Sequence, residues 1–261
     1  MEFSVPFEAG SLDYYIEQYA DDYAVPRAYE DIDLGYRFTI QKIAEAAARL
    51  RPDQRRVLDV GCGRGYLLVD LQRRGFECLG IDFHERLVRF AVEQYGVPAR
   101  VERLENLLAL GESYDLVILS HVLEHVDDPA GLLRNVFAVL NPGGLLVVEL
   151  PNRNWFSLGY SLRRGNMGWN YYPPDHITFW SLQALRAALQ GARFDVLECV
   201  ARPFDDLDRV GVFVRTRLRL SSGPLFHASI WTLKALGRLF GLEGNTLNAL
   251  ARKADTQAGT E

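Results

Sequence analysis

Short apolar runs that alternate with helical patterns constrain the fold of this 261-residue chain more than any other feature of its sequence. The runs are rich in leucine and β-branched residues, as strands buried on both faces are. They cover residues 56–60, 78–82, 114–120, 145–150 and 194–200, with a weaker run at 99–103 and a last one at 246–252. Between them the sequence predicts helices over 66–74, 85–95, 130–140 and 182–190. This alternation is typical of a parallel, doubly wound α/β sheet.

The regions that flank this core differ from it in composition. Residues 1–50 are rich in tyrosine and acidic residues and end in the helix-forming stretch TIQKIAEAAARL, which predicts an N-terminal helical cap. The core would occupy residues 51–202. From Arg209 to Leu242 there are six basic residues and no acidic one, so residues 203–244 are predicted to form a basic amphipathic insertion or lid. The last strand and a tail would fill residues 245–261.

The overall composition excludes several classes of function. Apolar residues make up 48% of the chain, and the net charge of −5 argues against a nucleic-acid partner, which would require a basic excess. Three cysteines without a CxxC spacing predict reduced thiols. The N-terminal stretch lacks the pattern of a signal peptide, and no stretch is apolar for long enough to span a bilayer. We therefore expect a cytoplasmic protein.

A glycine-rich turn follows the first predicted strand in the stretch VLDVGCGRG. Its three glycines allow a ligand to approach the backbone because no Cβ atom intrudes. The spacing D-x-G-x-G-x-G differs from the dinucleotide fingerprint G-x-G-x-x-G, and Asp59 before the first glycine favours a cationic ligand over a pyrophosphate. Asp82 ends the next predicted strand, where a carboxylate can accept hydrogen bonds from ribose hydroxyls. The two acids predict a ligand with a positive centre and a ribose.

Four stretches of the chain, in order, resemble the motifs of class I S-adenosylmethionine-dependent methyltransferases, in the branch that includes the ubiquinone-biosynthesis O-methyltransferases. They are VLDVGCGRG, LGIDF, YDLVILSHVLEHVDDP and LLRNVFAVLNPGGLLVVELPN. The resemblance covers roughly residues 35–200. It implies a Rossmann-like, seven-stranded sheet that is mostly parallel, with an antiparallel last strand. It also implies S-adenosylmethionine as cofactor and S-adenosylhomocysteine as its product.

The same resemblance implies roles for individual residues around the cofactor. Asp59 and the three glycines would lie under the methionine part, and Asp82 would hold the ribose. Phe83 and the stretch RLEN would meet the adenine. Ser120 would offer its carbonyl to the methionine amino group, and Arg37 would bind the methionine carboxylate. The cofactor-binding residues implied in this way are Arg37, Asp59, Gly61, Gly63, Gly65, Asp82, Phe83, Leu104, Glu105 and Ser120.

Three histidines and a glutamate fall into two segments near the predicted site. SHVLEHV contains His121, Glu124 and His125, and YYPPDHITFW contains His176. H-x-x-E-H also spells a zinc-peptidase motif, but Pro129 follows too soon after His125 for the long helix that such a site needs. Two functional interpretations stay open beside a purely structural one.

In the first interpretation, His125 or His176 is a general base that takes the proton of an acceptor hydroxyl. In the second, Glu124, His125 and His176, with or without His121, bind a divalent metal that lowers the pKa of a coordinated hydroxyl. Relatives that use a metal have Glu-x-x-Glu-His at this point, and His121 replaces the first of those glutamates. We therefore predict His125, His176 and Glu124 as catalytic residues, with a metal site as the less favoured alternative.

The acceptor side of the predicted site is rich in aromatic residues, which are Trp155, Trp169, Tyr171, Tyr172 and Trp180. They suit a planar or partly apolar acceptor, and equally the core of an ordinary loop. The basic insertion favours an anionic or lipid-linked acceptor, contact with a membrane surface, or a homodimer interface. We predict O-methylation of a small hydroxylated metabolite. The alternatives are N- or C-methylation, a non-catalytic S-adenosylmethionine-binding protein, and a nicotinamide-dependent dehydrogenase, which the glycine spacing disfavours.

Overall fold

The computed structural model describes residues 39–153, 176–203, 223–239 and 243–254, and their strands form one seven-stranded sheet. In chain order these strands are β1 (Arg56–Val60), β2 (Glu77–Asp82), β3 (Ala99–Val101), β4 (Tyr114–Ser120), β5 (Leu140–Pro151), β6 (Phe194–Pro203) and β7 (Glu243–Lys253). Their order across the sheet is β3-β2-β1-β4-β5-β7-β6. β7 is antiparallel to both of its neighbours, and the other neighbouring pairs are parallel. The predicted sheet is confirmed.

Helices cover both faces of this sheet. The described ones are α1 (39–47), α2 (Tyr66–Arg73), α3 (Glu85–Tyr95), α4 (Leu104–Ala109), α5 (Pro129–Val139), α6 (Leu182–Gly191) and α7 (Pro224–Leu239). Ile43 of α1, Leu68 of α2 and Ala91 of α3 join one hydrophobic cluster, and the buried side chains of α4 to α6 join another. Leu116 and Val117, which are adjacent on β4, enter different clusters, as the two-residue period of a strand requires. Burial on both faces explains why the central strands β1, β4 and β5 are mostly apolar.

The largest differences between the prediction and the structure are at two elements. α4 was not predicted. β5 begins at Leu140 rather than 145, because Leu140 pairs with Tyr114 before residues 141–144 bulge out and the pairing resumes between Leu145 and Leu116. Residues 1–38, 204–222 and 255–261 lie outside the described residues, so the domain boundaries stay a prediction.

The connection between β4 and α5 frames one edge of the sheet. Asp128 caps α5, since its Oδ1 accepts the Gly131 N–H at 2.8 Å, and Pro129 opens the helix. Residues 121–128 therefore form a short loop at the carboxyl end of β4. None of the helices in the described part of the chain is both long and apolar enough to cross a bilayer.

Candidate active site

The glycine-rich loop between β1 and α2 depends on left-handed backbone. Gly61, Gly63 and Gly65 have φ angles of 73°, 50° and 75°, which L side chains rarely adopt. A Cβ atom at Gly61 would lie 2.7 Å from Val122 Cγ2, and one at Gly65 would lie 2.9 Å from Val97 Cγ2. At Gly63, by contrast, no described atom lies within 4 Å of such a Cβ. The centre of the loop therefore presents bare backbone to open space.

Asp82, at the end of β2, holds this loop in place. Its Oδ2 accepts the Gly63 N–H at 2.9 Å, and its Oδ1 accepts the His84 N–H at 2.8 Å. Burial raises the pKa of Asp82, and these backbone donors oppose the rise. Each carboxylate oxygen keeps a further lone pair, so the fixed carboxylate can still accept hydroxyl donors from a ligand.

Asp59 is a second carboxylate, at the foot of the same loop. It is 2% exposed, and burial together with the nearby charge of Asp82 raises its pKa to about 8. The pocket in front of it is lined by Asp59, Gly61, Cys62, Tyr66, Leu67 and Ser120. The Ser120 hydroxyl is buried there and has no hydrogen-bond partner among the described residues. A cationic, hydrogen-bonding group in this pocket would favour the ionised form of Asp59 and satisfy Ser120.

The residues expected around the adenine lie at the same edge of the sheet. β2 pairs with β3 up to Asp82 and Val101. Phe83 is 41% exposed beyond β2, whereas Leu104, beyond β3, is buried. Leu104 and Glu105 begin α4, where the first N–H groups of a helix lack partners within it. The Glu105 carboxylate already accepts a hydrogen bond from Asn135 Nδ2 at 2.9 Å. Arg37 lies outside the described residues.

The segment after β4 brings Glu124 next to two histidines. Leu123–His125 is a single 3-10 turn. The H-x-x-E-H stretch therefore does not form the α-helix of a zinc peptidase, which confirms the prediction from Pro129. Glu124 Oε1 lies 3.1 Å from His121 Nδ1 and 3.8 Å from His125 Nε2. The rings of His125 and His176 meet edge-on, with their centroids 4.8 Å apart. All four predicted residues of this cluster are therefore in one place.

Backbone hydrogen bonds bring His176 to this cluster from a distant part of the chain. The N–H groups of Ile177 and Thr178 donate to the Glu124 carbonyl at 2.9 and 3.1 Å, and the Thr178 hydroxyl donates to the Leu123 carbonyl. Trp180 supports the same segment, because it is 8% exposed and donates Nε1–H to the Thr178 hydroxyl. Trp180 is thus a core residue, which agrees with the second interpretation of the aromatic residues, as the core of an ordinary loop. The other aromatic residues predicted on the acceptor side lie outside the described residues.

Glu124 is the electrostatic centre of the cluster. Its side chain is 1% exposed, and this burial opposes ionisation. The hydrogen bond with His121 and the charges of His121 and His125 outweigh the burial, so the pKa of Glu124 is lowered. Its Oε2 is buried and has no hydrogen-bond partner among the described residues. An ionised carboxylate beside His125 can orient the imidazole and stabilise its protonated form.

The same residues also fit a metal ion. The ligand atoms of Glu124, His125 and His176 all lie within 4.8 Å of one another. Two imidazole nitrogens and one carboxylate oxygen form a donor set that zinc and iron accept. The side chains of this cluster therefore suit either a general base or the binding of a divalent cation.

Sequence reasoning missed Glu149, which connects the cluster to helix α1. Glu149 is 3% exposed on β5, where it lies in register with Ser120 on β4 and Asn248 on β7. Its side chain accepts a hydrogen bond from the Thr39 hydroxyl of α1, and its carbonyl accepts the His121 N–H at 2.8 Å. His121 has a φ of 56°, which is strained for a residue with a side chain. The sequence signal that could have identified Glu149 is its position as an acidic residue inside the apolar stretch LLVVEL.

Comparison with known proteins adds a family match. The sequence matches a family model described as a methyltransferase domain over residues 32–199. A ubiquinone biosynthesis O-methyltransferase of Caulobacter sp. (strain K31) is 33% identical over 150 residues, which are 54% of this chain and 60% of the relative. The chain spans about half the length of the curated relatives it matches.

Two solved structures share the fold. A SAM-dependent methyltransferase from Archaeoglobus fulgidus has a TM-score of 0.57 at 20% identity, and the match covers 87% of this chain and 100% of that one. The plantazolicin methyltransferase solved in complex with SAH has a TM-score of 0.59 at 15% identity, and the match covers 93% and 91%. At these identities the likeness shows the fold alone.

Proposed function

Because this chain belongs to the methyltransferase-domain family, we propose that it binds S-adenosylmethionine and transfers the methyl group to a hydroxyl group of a small molecule. The arrangement of two carboxylates around an open glycine loop carries this proposal, since it suits a ligand with a ribose and a cationic end. The SAH in the plantazolicin methyltransferase supports the cofactor. The O-methyltransferase relative supports oxygen as the acceptor atom. The proposed acceptor is partly apolar.

In this proposal the ends of β1, β2 and β4 would hold the cofactor. The loop 61–65 would support its methionine part, and Asp59 and Ser120 would face its amino group. Asp82 would accept hydrogen bonds from the ribose hydroxyls, and Phe83 and the start of α4 would contact the adenine. Arg37 is the proposed partner of the methionine carboxylate.

His125 is the proposed general base. S-adenosylmethionine would supply the methyl group and leave as a neutral thioether, and the imidazole of His125 would take the proton that the acceptor hydroxyl gives up. Alignment of the two reactants can supply about 7–11 kcal/mol of the barrier. A base with a pKa near neutral adds roughly 10²–10⁴-fold to the rate. The ionised Glu124 stabilises the imidazolium, and His176 holds the His125 ring from its side.

A second arrangement uses Glu124, His125 and His176 as ligands of a divalent cation. The observation that favours it is the buried Glu124 Oε2 without a described hydrogen-bond partner, close to two imidazoles. A bound cation would lower the pKa of an acceptor hydroxyl that coordinates it. If activity is lost on chelation and returns with Mg²⁺ or Zn²⁺, the three residues are ligands. Activity that is indifferent to the chelator leaves His125 as the base.

Calorimetric titration with S-adenosylhomocysteine tests cofactor binding. We expect the wild type to bind, and Asp82→Ala to bind about tenfold more weakly or worse, because a charge-assisted contact with the ribose is lost. Glu77→Ala is the matched control, since Glu77 is an exposed acid at the opposite end of the same strand. No binding by the wild type, or equal affinity in Asp82→Ala, contradicts the assignment.

Measurement of turnover tests whether His125 is the general base. With a panel of hydroxylated aromatic acceptors, His125→Ala should lower the rate of S-adenosylhomocysteine formation by roughly 10²-fold or more. Its affinity for S-adenosylhomocysteine should stay close to that of the wild type, because His125 lies beyond the cofactor pocket. His227→Ala, which removes an exposed histidine of α7, is the control. Wild-type turnover in His125→Ala would remove this residue from the mechanism.

A further inference from the structure

Helix α7 has large apolar side chains on two different faces. Phe226 and Ile230 are 9% and 6% exposed, so this face packs against the protein. Leu225 and Trp231 are 70% and 73% exposed. An indole at this exposure forfeits the burial that normally makes tryptophan favourable in a folded chain. The outward face of α7 therefore has the chemistry of a contact surface.

The exposed side chains described on α7 are mostly uncharged. The exposed residues described on α7 are Pro224, Leu225, His227, Ala228, Trp231, Thr232 and Ala235. The outward face of a surface helix is usually charged, whereas among these described side chains only His227 can carry a charge. Water is thus a poor partner for this face.

Basic residues precede α7 and also lie within it in the sequence. Lys234 and Arg238 lie within α7 in the sequence. Four arginines precede the helix between residues 209 and 219, and the stretch 209–242 contains no acid. All 34 acidic residues lie elsewhere in the chain, together with 23 of the 29 basic ones. The apolar face is therefore set in a basic segment of an otherwise acidic protein.

We propose that α7 docks on the surface of a bilayer that contains anionic lipids, with Trp231 and Leu225 inserted at the boundary between headgroups and acyl chains. Tryptophan favours this boundary because one end of the indole is polar and the rest is apolar. A basic amphipathic helix adds electrostatic attraction to lipid phosphates, which salt screens. This docking goes beyond the proposed methyl transfer and does not depend on it.

A second copy of the chain fits this surface less well. Two α7 segments placed face to face would bring like charges together, because each is basic. Docking of α7 onto the acidic remainder of another copy would be a head-to-tail contact, which propagates unless it closes into a ring. An anionic bilayer can bury the apolar side chains of α7 and attract its positive charge at the same time.

Vesicle flotation with the full chain tests this proposal. We expect binding to vesicles of phosphatidylcholine mixed with phosphatidylglycerol, little binding to phosphatidylcholine alone, and weaker binding at high salt. Trp231→Ser and Leu225→Ser should each weaken binding by about tenfold or more, because each removes an inserted side chain. Leu110→Ser is the matched control, since Leu110 is 69% exposed after α4, away from the basic segment.

Three results would overturn the proposal. One is a failure to bind the anionic vesicles at low salt. Another is binding that Trp231→Ser and Leu225→Ser leave unchanged. The third is a concentration-dependent dimer that Trp231→Ser abolishes while the wild type ignores vesicles, which would assign α7 to a second copy. S-adenosylhomocysteine affinity, measured on the same variants, should be unchanged, so failure of the docking and failure of the cofactor assignment are distinguishable.

Discussion

Asp59 is a carboxylate whose ionisation the fold disfavours. Burial, followed by the charge of Asp82, raises its pKa from 3.8 to about 8. Between these two values the native state keeps a proton that the unfolded chain has released. The free energy of unfolding of the cofactor-free protein should therefore fall as the pH rises through this window. Asp82, whose pKa is also raised, contributes in the same direction.

Asp59→Asn should remove most of this pH dependence. An amide does not titrate, so the variant should gain stability over the wild type as the pH approaches about 8, by at most about 1.4 kcal/mol per pH unit. It should also bind S-adenosylhomocysteine more weakly, because an amide carries no charge for the ligand's amino group. Urea unfolding at several pH values checks the first effect, and calorimetry checks the second. Asp53→Asn, at an exposed carboxylate, is the control; parallel profiles for wild type and Asp59→Asn would contradict the assignment.

Residues whose position follows from a local pattern could be located from the sequence, and those whose position depends on distant contacts could not. Asp59 and the glycines lie in one contiguous stretch, and Asp82 ends the next strand, so spacing was sufficient. The Glu149 carboxylate accepts a hydrogen bond from Thr39, which is 110 residues away in the chain. Only the folded sheet and α1 bring these two side chains together. An acidic residue within an apolar strand indicates that its side chain has a polar partner, but it does not indicate which residue that partner is.

At the scale of elements, two glycines of the loop between β1 and α2 have different surroundings. Gly65 packs closely against the protein, whereas Gly63 faces open space. Gly63→Ala and Gly65→Ala both place a side chain on left-handed backbone, which costs about 1–2 kcal/mol. At Gly65 the new Cβ would also lie 2.9 Å from Ala91 Cβ and Val97 Cγ2, and such overpacking costs typically about 1–3 kcal/mol more. At Gly63 the new Cβ would point into the space proposed for the cofactor.

We therefore expect the two alanine variants to fail in different ways. Gly65→Ala should lose clearly more unfolding free energy than Gly63→Ala in urea titrations. Gly63→Ala should stay folded and yet lose affinity for S-adenosylhomocysteine. Each variant serves as the control for the other, because the backbone cost is shared. Equal stability losses with equal affinities would mean that the loop is an ordinary tight turn.

Element boundaries were predictable where both ends carry local signals. β4 over 114–120 and α3 over 85–95 have the predicted bounds. α4 is only six residues long and has no cap from a side chain, so its sequence carries little helical signal. The early start of β5 depends on pairing with β4 across a bulge. The docking of His176 onto Glu124 likewise depends on long-range backbone bonds, which no spacing in the sequence encodes.

At the scale of the molecule, the strand order explains why the site can form. β1 lies between β2 and β4, and β5 follows β4, so four parallel strands end side by side. Asp82, the glycine loop, Ser120 and Glu149 occupy those four strand ends. A ligand held there would contact the ends of the central strands rather than the two outermost strands, β3 and β6. Its binding should therefore be coupled to the unfolding of the whole sheet.

S-adenosylhomocysteine should raise the melting temperature of the wild type through this coupling. A ligand that binds only the native state adds about 2.7 kcal/mol of stability at a hundredfold excess over Kd, which for a chain of this size corresponds to about 5–10 °C. Asp82→Ala should show a much smaller rise at the same ligand concentration, and NADH should produce none. A rise that persists in Asp82→Ala would place the ligand elsewhere in the molecule. A rise with NADH would restore the dehydrogenase alternative, because the glycine spacing is then no barrier to a dinucleotide.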